Sequence, residues 1–500
     1  MALERLANAL EGAAVTLLLG LVVGAIDGFL AETVAAESTF QRMATFALLA
    51  LALSSPVAVL SALIGLGVSR RAKKRRALGA LGLLVAFVAG MSQVIQTTST
   101  SEELRGSWLL EQPLPYLRSD APRSIALITV DTMRADSLEH MPLLAARAEG
   151  AMVYVNAHST SSWTLPAMAS LHTGLMPADH GAGARQGPNS HQRSGLNEDV
   201  ETLAERLRRR GYVNGAVVTN PYLSMRYGLH RGFDRYVDLS RRALLQRGLR
   251  RSMLWRFWVP QASDDPVPRA LQLQSRLVEG RAFLWVHAIE PHAPYSARDG
   301  DPYEECSMPD CFSDWRPTGE EAEPRDLDLI RSLYQADLAR LDTQLDPLLD
   351  ELIAEGRLVV LVADHGEAFG EHGGQAHGHG FWEEVTHVPL LVWGAAKGQN
   401  DGGVDLTGVH EMLVRWSDGG GATVEASETS MAGLLFGEES SACVTGRTKF
   451  IEGVGAFELD ADPLELKPLA RESPCSLRSL EPAEGTNLDI GVLRALGYVD

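Results

Sequence analysis

The chain has 500 residues, a formal net charge of −19, 45% hydrophobic and 22% charged residues. The acidic balance excludes a general nucleic-acid binder, which needs a basic face for phosphates. The ordinary composition excludes wholesale disorder, and four cysteines exclude a disulfide scaffold. The charge is uneven: residues 1–100 hold eight basic and five acidic side chains, or +3, so the remaining 400 carry −22.

Three apolar runs open the chain, at residues 13–30, 43–68 and 77–95. Each approaches the ~20 residues that cross a hydrocarbon core. The first is interrupted only by Asp27, near its end, where an interfacial position suits a carboxylate. A cleaved signal peptide fits poorly, because the first residues are not basic and two further runs follow. Arg70, Arg71, Lys73, Lys74, Arg75 and Arg76 lie between the second and third runs. The positive-inside rule therefore predicts a cytoplasmic N-terminus and an extracytoplasmic chain beyond residue 95. The expected organisation is a three-helix membrane region at 1–95, a polar linker at 96–121, a catalytic domain at 122–400 and a C-terminal subdomain of the same fold at 401–500. All four cysteines (Cys306, Cys311, Cys443 and Cys475) fall in the outer part, where disulfides are permitted. Cys306 and Cys311 close a small loop in one reading and stay as thiols in the other.

Beyond the linker, short apolar runs at 124–130, 215–219, 282–286 and 358–363 alternate with helical spacing at 200–210 and 327–354. Continuous apolar runs suit strands covered on both faces, so the pattern predicts an α/β fold with a mostly parallel sheet. Three of the runs end in Asp131, in His287 followed by His292, and in Asp364-His365. Ligands of open α/β sheets bind at the carboxyl ends of strands. A carboxylate and an imidazole leaving one strand suit zinc, manganese or iron better than an all-oxygen calcium cage. Five of the 14 histidines fall between 365 and 387, against the blander reading of a solvated His-rich loop. The segment 160–174 (TSSWTLPAMASLHTG) predicts a helix from Thr164, with Thr164 as its cap, to about Thr173, stopped by Gly174. The amides at its start favour an anion beside Thr164.

These segments, in this order, resemble the sulfatase family of the alkaline phosphatase superfamily. ITVDTMRAD (128–136) resembles its first metal strand, and TLPAMASLHTG (164–174) its nucleophile segment. HAIEPHAPY (287–295) resembles the PHxPY element, and VADHGEAFGEHG (362–373) the second metal strand. HGFWEEVTHVPLLV (379–392) resembles HGxxLYEExxxVPLIV, and FELDADPLELKPLA (457–470) the family's C-terminal tail. The likeness runs from about 124 to 470. It implies an alkaline-phosphatase-like sheet flanked by helices. Asp131, Asp364, His365 and Thr164 would bind one divalent metal, zinc or manganese ahead of calcium. Thr164 would be the nucleophile, with His292 and His379 as catalytic, substrate-facing groups. His287, His172 and Arg134 would contact substrate, and Glu367 and His372 would orient ligands.

The chain departs from the family at its centre. Thr164 replaces the Cys or Ser that matures to formylglycine, and Met168 replaces the maturation Arg. Thr132 stands where a second metal-strand aspartate is usual, which suits one metal. The expected function is a membrane-anchored, metal-dependent hydrolase of anionic esters, phosphate ahead of sulfate. The alternatives are a phosphoethanolamine- or glycerophosphate-type transferase on envelope lipids or glycans, and a catalytically silent surface scaffold. The expected partners are an anionic ester and the membrane, not nucleic acid; protein partners are not legible.

Overall fold

The computed structural model describes residues 123–183, 193–240, 266–274, 281–293, 295, 324–426, 429–432 and 440–471. The three apolar runs, the basic loop, the linker, Cys306, Cys311 and Cys475 lie outside these residues. No helix among the described residues is long and apolar enough to cross a membrane.

The apolar runs become strands of one eight-stranded sheet. Its members are β1 (Ile125–Val130), β2 (Met152–Tyr154), β3 (Val213–Val218), β4 (Arg235–Asp238), β5 (Ala282–Ala288), β6 (Leu358–Ala363), β7 (Leu390–Trp393) and β8 (Gly398–Asn400). The spatial order is β8-β2-β7-β6-β1-β5-β3-β4. β1 pairs parallel with both β5 and β6, and β3 runs parallel to β5 and β4. Only β7 runs against its neighbours, β6 and β2. β1, β5 and β6 are buried along their whole lengths, as strands covered on both faces must be.

Five helices matter for the site: α1 (Pro142–Ala148), α2 (Thr164–Thr173), α3 (Leu203–Arg209), α4 (Pro324–Ala354) and α5 (Leu406–Ser417). α3 begins with a capping box in which Thr202 and Glu205 satisfy each other's backbone N–H groups. α2 is buried at every position, and α5 packs along it. At the end of α2, Gly174 adopts φ 72°, and a Cβ there would lie 2.7 Å from the His410 ring of α5. Only glycine allows both the turn and that approach.

A second, antiparallel sheet follows, formed in order by β9 (Thr429–Ala432), β10 (Ser441–Thr445), β11 (Thr448–Ile451) and β12 (Gly455–Glu458). Cys443 on β10 is disulfide-bonded. From β11, the wholly buried Lys449 Nζ reaches Glu383 Oε1 at 2.8 Å, Thr386 Oγ1 at 2.9 Å and Glu465 Oε1 at 3.2 Å. Glu383 and Thr386 belong to a short helix, Glu383–Thr386, just before β7. Lys449 thereby ties the second sheet and the tail after it to the segment that leads into β7.

Candidate active site

The carboxyl ends of four adjacent strands, β6, β1, β5 and β3, converge on one place. Asp131 leaves β1, and Asp364 and His365 leave β6. His287 lies within β5 and His292 beyond it. Asn220 follows β3. The start of α2 brings Thr164 to the same point.

Thr164 is not the cap of α2. Trp163 holds the N-cap position in extended backbone, and no side chain caps the helix. Thr164 is the first helical residue, so its hydroxyl is released from capping. Oγ1 lies 3.3 Å from His365 Nε2 and accepts a hydrogen bond from Asn220 Nδ2 at 3.2 Å. Asn220 also donates to Asp131 Oδ2 at 2.5 Å. Its own Oδ1 accepts from Tyr222 N at 2.8 Å, and this fixes which end of the amide faces the site. Asn220 escaped the sequence reading because an Asn ahead of a Pro looks like an ordinary turn residue, a task it also performs.

Asp364 Oδ1 accepts from the backbone of Thr132 at 3.2 Å and of His365 at 2.8 Å. Thr132 reaches that position in the left-handed region, φ 54°, which costs a non-glycine residue about 1–3 kcal/mol. The other oxygen, Asp364 Oδ2, and Asp131 Oδ1 are buried without a hydrogen-bond partner. His365 Nε2 stands 3.5 Å from the first and 3.6 Å from the second. His365 Nδ1 faces the Gly366 carbonyl at 2.9 Å, and a carbonyl only accepts. The proton therefore sits on Nδ1, and Nε2 presents a lone pair to the two orphaned oxygens.

Among the described residues no lysine or arginine pairs with Asp131 or Asp364. Burial and the charge of Asp131 push Asp364 well above the usual carboxylate range. Burial also acts against the charge of Asp131, but His292, His287 and His365 outweigh it and hold this carboxyl low. Burial keeps the imidazoles themselves neutral, His292 down to about 4 and His365 also lowered. Two buried carboxylates, two unsatisfied oxygens, an inward lone pair and a hydroxyl make a set that fits one divalent cation.

His287 is near enough to join that set, since an Asp131, His287 and Asp364 group also has metal-ligand spacing. Its hydrogen bonds assign it otherwise. Trp285 Nε1 donates to Thr129 Oγ1 at 2.9 Å, and Thr129 Oγ1 lies 2.8 Å from His287 Nδ1. The Thr129 proton has a short path to that nitrogen and a longer one, 3.4 Å, to the Val286 carbonyl. His287 thus accepts at Nδ1 and donates from Nε2 to Asp131 Oδ2 at 3.3 Å. In this arrangement its Nε2 is engaged by Asp131.

His172 and Arg134, also expected to face substrate, are engaged elsewhere. His172 lies at the far end of α2, its ring 4.0 Å from that of Trp285, and burial lowers it to about 3. It is a core residue, about two helical turns from Thr164. Arg134 is bonded to Asp136, to Glu371 at 2.6 Å and to the Glu367 carbonyl at 3.0 Å, so its guanidinium is committed to holding loops together.

His379 is exposed. The ring against the site is that of His377, 4.4 Å from His365 and 4.9 Å from His292. Gly378, at φ 78°, turns the chain between the two histidines and sends the second one outward. Glu367, expected to orient a ligand, lies 2.9 Å from His377 Nδ1. His372 stacks on Trp382 at 3.8 Å and meets Glu384 at 2.7 Å, outside the Thr164 cluster.

A mostly parallel α/β sheet with a carboxylate-imidazole centre and a hydroxyl at a helix start defines the class, an ester hydrolase. The sulfatase family profile matches residues 125–415, more than half of the chain, and the chain belongs to that family. Enzymes of this family bind a divalent metal ion. No curated protein matches the sequence significantly. Among solved structures, the phosphonate monoester hydrolase of Silicibacter pomeroyi is 18% identical over 66% of this chain and 86% of its own, with a TM-score of 0.51. The phosphonate monoester hydrolase of Agrobacterium radiobacter is 18% identical over 69% and 91%, at 0.50. A 2-O GAG sulfatase is 16% identical over 70% and 88%, at 0.52. At these identities the likeness establishes the shared fold.

Proposed function

We propose that the protein is a membrane-anchored, extracytoplasmic hydrolase that cleaves phosphate esters through Thr164, with sulfate esters disfavoured. The observation that carries this reading is the Thr164 hydroxyl, wholly buried yet free of capping and aimed at His365. Asp131, Asp364, His365 and Thr164 would hold the metal. The bound cation supplies positive charge that acidifies a neighbouring hydroxyl and steadies charge developing on the ester oxygens.

In the first half-reaction Thr164 Oγ1 attacks phosphorus and the bond to the leaving oxygen breaks. The threonine proton passes to the Nε2 lone pair of His292 or His377, and that imidazole hands it on to the leaving oxygen. His292 bonds the Ala293 carbonyl through Nδ1, so that nitrogen carries its proton and Nε2 faces the other way. Asn220 holds the attacking oxygen in line. Water then cleaves the phosphothreonine. A formylglycine hydrate has a second hydroxyl, which lets sulfate leave by elimination. Threonine has one oxygen, so its ester waits for an external nucleophile, and this favours phosphorus. Two of the structural neighbours act on phosphonate esters by name, in keeping with this preference. The six basic residues at 70–76 and the disulfide at Cys443 support an outer location for the domain.

The test is mass spectrometry of enzyme quenched during turnover of aryl phosphate mono- and diesters. A phosphorylated Thr164 is expected, with no turnover by Thr164→Ala and residual turnover by Thr164→Ser. Aryl sulfate hydrolysis without phosphate ester activity would sink the phosphate reading. Release onto an added alcohol in place of water would identify the transferase.

A further inference from the structure

The buried carboxylate of Glu367 lies beside the catalytic cluster but contacts none of the four residues assigned to the metal. Oε2 accepts from the Tyr295 hydroxyl at 2.7 Å, and Oε1 meets His377 Nδ1 at 2.9 Å. Both partners are buried. The backbone around His377 is held as firmly. Ala376 adopts φ 63°, the strands Ala368–Phe369 and Gln375–Ala376 pair with each other, and Gly378 N donates to the Ser162 carbonyl at 2.9 Å. That last bond pins the His377 turn to the segment that delivers Thr164. The backbone therefore fixes where the imidazole stands. It does not fix which ring nitrogen turns toward the cluster, because an imidazole still rotates about its last torsion.

We propose that Glu367 is a positioning residue for His377. Held by Tyr295, it engages Nδ1 and turns Nε2 away from itself, toward the histidines of the site, where a proton is exchanged with the leaving oxygen. This rests on the hydrolase reading above and names the residue that gives its proton donor a direction. A purely structural account leaves Glu367 as a buried carboxylate that needs donors. That account does not require the loss on mutation to follow the chemistry of the leaving group.

The experiment compares wild type, Glu367→Gln, His377→Ala and the double variant as full-length, metal-loaded enzyme. Each is assayed with nitrophenyl and alkyl esters of the same phosphoryl group. Glutamine keeps the size and the Tyr295 bond but offers an amide N–H to His377, which reverses the direction of that hydrogen bond. A nitrophenolate leaves without protonation and an alkoxide does not. Glu367→Gln should lower kcat about 100-fold on the alkyl ester and less than threefold on the nitrophenyl ester, with KM and metal content unchanged. In the double variant it should add nothing to the loss from His377→Ala. Equal losses on the two esters, or losses that multiply in the double variant, would overturn the proposal. If phosphate esters are not substrates, the hydrolase reading fails first. The same comparison on aryl and alkyl sulfates then decides the role of Glu367 by the same two criteria.

Discussion

Replacing Lys449 with methionine keeps most of its volume and removes one buried ammonium. Lys449 is wholly buried, and its nitrogen serves Glu383, Thr386 and Glu465 at once. Glu383 retains His158 Nε2 at 2.9 Å as a partner, while Glu465 keeps only the backbone N–H of Glu383 at 2.6 Å. Removing one partner of a buried ion pair costs about 3–5 kcal/mol, a large share of a typical total of roughly 5–15 kcal/mol. The deficit should depend on pH. Burial raises Glu383, but Lys449 and His158 outweigh it and hold the group well below its usual value. Its contribution in the wild type is therefore present above the unfolded carboxylate value of about 4.3 and is lost as pH falls below it. Without Lys449, burial is left to raise Glu465 further. A group raised in the folded state favours folding at low pH and loses that advantage as pH rises. The variant should thus be least stable relative to wild type near pH 7, and the gap should narrow toward pH 5. Denaturant unfolding at a series of pH values measures both. A deficit under about 1 kcal/mol at pH 7, or one that does not change with pH, would refute the reasoning.

Asn220→Ala removes the only side-chain amide on Thr164 and Asp131 among the described residues and should cost about 10–100-fold in activity or metal affinity, read from kinetics and metal titration. Asp364→Ala combined with His365→Ala should abolish bound divalent metal in elemental analysis; full occupancy would show that the cation lies elsewhere. Cysteines placed in the 96–121 linker should react with an impermeant reagent on intact cells, while cysteines at 70–76 should not; the reverse pattern would invert the topology.

Much of the fold was legible because its central strands are buried on both faces and so read as unbroken apolar runs. The expected 358–363 matches β6, and 124–130 differs from β1 by one residue. The site was legible where chemistry and strand ends coincide, at Asp131, Asp364 and His365. It was not legible where a side chain's direction depends on a turn. His377 and His379 are equivalent in sequence, and only the left-handed Gly378 separates a cluster residue from a surface one. His172 misled for a related reason. α2 is apolar all round, so no face of the helix marks which residues look toward substrate. Arg134 reads as an anion binder until Glu371, distant in sequence, is seen to claim it.

The complete burial of α2 bears on what a family signature means here. Leu165, Ala167, Met168, Ala169 and Leu171 fill space against the sheet and α5, and Gly174 is needed to clear His410. Selection for packing alone would preserve nearly every letter of that segment. A descendant that lost all activity would still carry it, and would still be recognised as a relative. Thr164 and its partner Asn220 are tied instead to Asp131 and His365 at the strand ends. The identity of those two positions, more than the length of matching motif around them, separates a working enzyme from a silent one in other chains of this kind.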